Sequence, residues 1–90
     1  MSQYTPKPKD RYHSVLVGWD PPLSTFFAHV INTAKTEDSK GYDVYWVGCN
    51  PGEITTLDPF MTNLKPYVDL SEAEFDELRM MLQMDKANFP

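Results

Sequence analysis

Residues 24–32 read STFFAHVIN, and the fold turns on whether they form a strand or a helix. Ser24 suits a helix N-cap. Phe26, Phe27, Val30 and Ile31, however, are aromatic or β-branched, and such side chains fit a pleated surface better than a helical one. A strand is the reading that follows. The corner ahead of it, Asp20-Pro21-Pro22, supports this reading. Proline cannot donate to a sheet ladder and pushes the residue before it away from the helical region. A strand over 12–19, YHSVLVGW, therefore stops there and folds back as a hairpin.

Outward from this pair, residues 33–43, TAKTEDSKGYD, form a polar surface loop. Residues 44–49, VYWVGC, form a third strand, and the three make an antiparallel meander. The pattern then becomes helical. Asp58-Pro59 opens a short helix, with Asp58 as N-cap and Pro59 at the first helical position, and Pro66 ends it near Lys65. Ser71 and Glu74 form an S-x-x-E capping box for a last helix, and Leu70 and Phe75 take the hydrophobic-staple positions. Glu72, Glu74, Asp76 and Glu77 crowd its first turns, where the helix dipole favours anions. The expected fold class is α+β: a three-stranded antiparallel β-meander followed by two helices packed on one face, β-β-β-α-α. Residues 1–11, polar with two prolines, read as a flexible or extended N-terminal arm, and residues 12–90 as a single α+β domain.

Two short segments resemble each other. VGWDPP at 17–22 and VGCNPG at 47–52 each run from a strand into Gly, then into Asp-Pro or Asn-Pro. Glycine allows a bend cheaply, and Asp or Asn before Pro starts a turn. This is one kind of turn used twice rather than a duplicated site. If the two strand ends lie side by side, Trp19, Asp20, Cys49 and Asn50 share one rim.

Alternation leaves too many apolar faces. Phe26, Ala28 and Val30 point one way and Phe27, His29 and Ile31 the other, while Val44 and Trp46 oppose Tyr45 and Val47. Two short helices cover one sheet face only. In the last helix Phe75, Leu78 and Leu82 make one stripe, with Met80 and Met84 nearly opposite. Surplus apolar surface points to a protein partner or a second copy, most simply a homodimer. The expected binding residues are Phe27, His29, Tyr45, Met80 and Met84.

Charge excludes some functions. The net charge is −5, and residues 43–90 carry nine acids against Lys65, Arg79 and Lys86. Such a body repels phosphate, so duplex nucleic acid is not an expected ligand. The first 13 residues, with Lys7, Lys9 and Arg11 against Asp10, are too weakly basic to reverse this. One cysteine precludes an internal disulfide. With no apolar leader and no long apolar run, the chain reads as cytoplasmic and not membrane-bound.

Chemical motifs are sparse. Cys49 lies in VGCNPGE, which matches no cysteine-nucleophile signature, and a reactive thiol needs a partner such as His13 or His29 to lower its pKa. No ligand spacing for zinc or calcium occurs, so neither metal nor cofactor is expected. Gly48 and Gly52 flank Pro51, which lacks an N–H, so a phosphate cradle is not formed. Glu53, between Gly52 and Ile54, is a candidate for a raised carboxyl pKa. Trp19, Phe27, Tyr45 and Trp46 form a candidate stacking platform for single-stranded nucleic acid, though the flanking basic motif is missing. The reading that follows is a small non-enzymatic protein–protein interaction module that self-associates. The alternatives are a thiol-dependent enzyme or redox protein using Cys49, and a single-strand binder using the strand aromatics.

Overall fold

The computed structural model describes residues 2–90. Three strands, β1 (His13–Asp20), β2 (Thr25–Asn32) and β3 (Asp43–Val47), form an antiparallel sheet in the order β1-β2-β3. Two helices follow, α1 (Leu57–Leu64) and α2 (Glu72–Asn88), joined through a 3-10 turn at Lys65–Tyr67. The α+β meander with two trailing helices is the architecture the residue pattern implies.

STFFAHVIN is a strand because its alternation is used. Phe26, Ala28 and Val30 of β2 lie beside Trp19, Val17 and Val15 of β1 in register, and all six are buried. Phe60, Met61 and Leu64 of α1 and Leu78 and Leu82 of α2 close over them. Burying each large side chain in such a core contributes about 1.5–3 kcal/mol. Trp19, Phe26 and Phe60 form an aromatic spine, with ring centroids 4.9 and 5.6 Å apart. The Trp19 indole Nε1 donates to the Phe89 carbonyl at 2.6 Å, which holds the end of α2 against the sheet.

The helix starts differ in their chemistry. At α2 the capping box is complete. The Glu74 N–H donates to Ser71 Oγ, and the Ser71 N–H donates to the Glu74 carboxylate. Leu70 and Phe75 are half-buried against the core, as a staple requires. At α1 the expected start is displaced. The N-cap is Thr56, not Asp58, and Pro59 is the third helical residue. The first turn has no intrahelical acceptors for its N–H groups, so proline there loses no bond. Pro66 ends α1 at Leu64 and starts the 3-10 turn.

The described part of the N-terminal arm, residues 2–11, lies along the outer edge of β1 at residues 2–4, continues to the segment between the helices at residues 7–9, and bends at 9–11 to enter β1. The Ser2 N–H donates to the Trp19 carbonyl, and Tyr4 and Val17 exchange backbone bonds at 2.8 and 2.9 Å. The Tyr4 hydroxyl donates to Asp85 of α2 at 2.5 Å. This bond and burial push the Tyr4 phenol up to about 12. Further on, Lys9 and Asp69 bond across to Tyr67 and Lys7, beside the Pro8–Val68 bridge. The arm thus straps one sheet edge to the segment between the helices.

Candidate interaction surface

Both helices cover the face bearing Val15, Ala28 and Val30, and among the described residues no helix or second sheet lies on the opposite face. The register assigns that face Leu16 of β1, Phe27, His29 and Ile31 of β2, and Trp46 of β3. The first four are half-buried, and Trp46 is 57% exposed. His29 and Trp46 are cross-strand partners, and their rings stack with centroids 4.3 Å apart. His29 Nε2 lies 2.6 Å from Asp43 Oδ1. A carboxylate only accepts, so Nε2 carries the hydrogen of this bond. The Asp43 contact orients the imidazole, and the imidazole props the indole outward.

Phe27 is set by glycines on both sides. Gly18 is its cross-strand partner, and a Cβ there would lie 2.7 Å from the Phe27 ring and 2.0 Å from the Ser2 carbonyl oxygen. The ring therefore occupies the space where a side chain would stand. On the other side, Gly48 has φ +85, and a Cβ would lie 2.1 Å from the Phe26 oxygen and 2.5 Å from the Phe27 Cα. The glycines of VGWDPP and VGCNPG thus do one job from two strands: they let β1 and β3 close on Phe27.

The two strand ends lie at the same end of the sheet but are separated by β2. They do not make a common pocket rim. Trp19 is in the core and Asp20 is buried, its Oδ1 without a hydrogen-bond partner among the described residues. Cys49 and Asn50 are exposed beyond the end of β3.

The five expected contact residues fall on three surfaces. Phe27 and His29 share the open sheet face. Tyr45 points to the helix side, where its ring stacks on Tyr67 at 4.8 Å, and burial raises its phenol pKa. The residue of β3 that joins Phe27 and His29 is Trp46. Met80 and Met84 lie on the outer side of α2, 62% and 58% exposed. The alternation in VYWV already separates Tyr45 from Trp46, but the sequence does not say which face the helices choose.

Elsewhere the chemistry is quiet. Burial and the nearby Glu53 carboxylate push the Cys49 thiol up, away from a nucleophile's range. His29 is engaged with Asp43, and His13 approaches Asp10 at 3.9 Å. Glu53 is the reverse of the raised carboxyl expected of it. The Gly48 N–H donates to its carboxylate at 2.8 Å, and the Asn50 side chain and backbone N–H groups add further bonds. These bonds favour the anion and lower its pKa. Glu53 is the internal anchor of the 48–53 turn. Of the four aromatics read as a stacking platform, Phe27 and Trp46 share the open face, while Trp19 is 2% exposed and Tyr45 faces the helices. Among the described residues no three His, Cys, Asp or Glu side chains group as a metal site, and no helix is long and apolar enough to cross a membrane. Comparison of the chain with protein-family models, with curated proteins and with solved structures finds no match.

Proposed function

We propose that this chain is a non-enzymatic protein–protein interaction module that self-associates through the free edge of β3, beside the open face of its sheet. The observation that carries the reading is that face and its edge: Leu16, Phe27, His29, Ile31 and a Trp46 propped outward, with no helix over them among the described residues. Aromatic side chains held rigid at a surface are the usual anchors of interfaces.

The sheet edges favour a second copy as the partner. The outer edge of β1 is taken by the chain's own residues 2–4, whereas among the described residues no strand pairs with the outer edge of β3. An unpaired edge is a template for another strand. Two β3 strands pairing antiparallel about a two-fold axis join two sheets into one and set the two open faces side by side. Trp46 belongs to both the free edge and the open face. The surroundings of Cys49 and the scattered strand aromatics favour this reading over a thiol enzyme or a single-strand binder.

Hydrogen exchange measured against protein concentration tests it. The backbone amides of β3 are expected to gain protection as concentration rises, while those of α2 around Met80 and Met84 stay unchanged. Protection of β3 that is independent of concentration contradicts the proposal. A concentration dependence confined to α2 would move the interface to the methionines.

A further inference from the structure

On the helix side of the molecule a groove of about 790 Å³ runs between the 55–59 segment and the later turns of α2. Its floor is the Phe26 ring, and Leu57, Pro59 and Ala87 supply apolar wall. Two cations line it, Arg79 and Lys86, seven residues apart on α2. Seven residues are close to two helical turns, so both side chains stand on one face about 10 Å apart along the axis.

The two cations are in different states. Arg79 is paired with Asp58, so its charge is neutralised within the groove. Lys86 has no carboxylate within ion-pair distance among the described residues. Its Nζ donates to the Thr55 carbonyl at 2.6 Å and lies 5.8 Å from both the Trp19 and Phe26 ring centroids. An ammonium has three N–H groups, and one backbone acceptor uses only one of them. Asp85, next to Lys86 in sequence, is engaged by Tyr4. In a chain of net charge −5, a partly exposed lysine held over aromatic rings without an acidic partner leaves two ammonium N–H groups open to an anion.

The groove also limits which anion fits. The N-terminus of α1 opens on it, but Asp58 occupies that positive end and Pro59 offers no N–H. One free positive charge suits a single negative charge, not a phosphate dianion. Beside the polar Thr55, Thr56 and Gln83, the rest of the lining is the Phe26 ring and the aliphatic surface of Leu57, Pro59, Ala87 and Pro90, and the volume is that of a small-molecule site. We infer that the groove between residues 55–59 and α2 binds a small carboxylic acid with an apolar body, its carboxylate on Lys86 and its body over Phe26. This site lies on the opposite side of the sheet from the open face and is independent of the proposed self-association.

The test is an NMR titration of the isotopically labelled full chain with 4-phenylbutyrate, alongside its neutral amide, 4-phenylbutyramide. The acid is expected to give saturable shifts at the amides of residues 55–57 and 83–87. The neutral amide is expected to bind about ten-fold more weakly or worse, the scale of one hydrogen bond to a charged group. Lys86→Met, which keeps the stem and removes the charge, is expected to weaken the acid to the level of the amide. Ala87→Phe fills the groove from an exposed position, leaves Lys86 in place and is expected to abolish the shifts. Should Lys86→Met lose the dispersed spectrum of the folded chain, Ala87→Phe decides. Shifts that do not saturate, equal binding of acid and amide, or shifts that map to the open sheet face would overturn the assignment.

Discussion

Gly48→Ala probes how β3 is seated against β2, and with it the shape of the open face. Two separable terms act at this position. The residue has φ +85, and an L side chain in the left-handed region costs about 1–2 kcal/mol. The added Cβ would also stand 2.1 Å from the Phe26 oxygen and 2.5 Å from the Phe27 Cα, both backbone atoms of a central strand. Relieving such crowding requires β3 to move, at about 1–3 kcal/mol. Gly52→Ala supplies the reference. Gly52 has φ +64, but a Cβ there meets nothing within 4 Å, so it carries the conformational term alone. Urea denaturation of both variants, compared at constant m-value, is the assay. Gly48→Ala is expected to lose about 2–5 kcal/mol and Gly52→Ala about 1–2 kcal/mol. Equal losses would refute the close approach of the 48–49 backbone to Phe27.

Further outcomes follow from the same contacts. Leu82→Ala empties a fully buried position of α2 and is expected to cost about 2–5 kcal/mol in the same denaturation assay. Glu53 has a depressed folded pKa, so its contribution is present above the unfolded carboxyl value of 4.5 and is lost as pH falls through the lower folded value. Glu53→Gln is therefore expected to flatten the stability profile in that acid window and leave its shape near neutrality unchanged, as followed by thermal melts against pH. Tyr4 has a raised folded pKa, so the opposite sign applies. Its contribution is complete below pH 10.0 and is lost as pH rises towards about 12, and Tyr4→Phe is expected to remove that part of the alkaline decline. Phenolate absorbance should show one late-ionising group fewer in the variant than in the native chain, with Tyr45 ionising late in both.

The fold was legible where one residue type has one use. The β-branched and aromatic run of 24–32 favours a strand even though Ser24 also suits a helix cap, and the Ser71–Glu74 box names a helix start by its own hydrogen bonds. Legibility fails where a residue's role depends on a distant neighbour. The polar arm gives little local sign of its docking beyond Tyr4, because its partners, Val17 and Asp85, lie 13 and 81 residues away. At α1, Asp58 has the right chemistry for a cap but is used by Arg79 instead. The two-sided apolarity of the sheet was readable, but which side stays open depends on where α1 and α2 pack. The β2–β3 register separates Tyr45 from Phe27 and sets Trp46 beside His29, and the helices decide only which of the two groups is covered. Lys86 reads in sequence as a helix-end cation, and only tertiary packing places it over Trp19 and Phe26.

The most direct test of self-association through the β3 edge beside the open face is the mass of the native chain by sedimentation equilibrium, measured beside Trp46→Glu and Met80→Glu. The substituted Trp46 position would set a second carboxylate near Asp43 on the free edge strand, without touching the core. A native mass of about twice 10.4 kDa, reduced to a single chain by Trp46→Glu and unchanged by Met80→Glu, is the predicted result. A native mass of one chain across the accessible concentrations, or a dimer that survives Trp46→Glu, would contradict it.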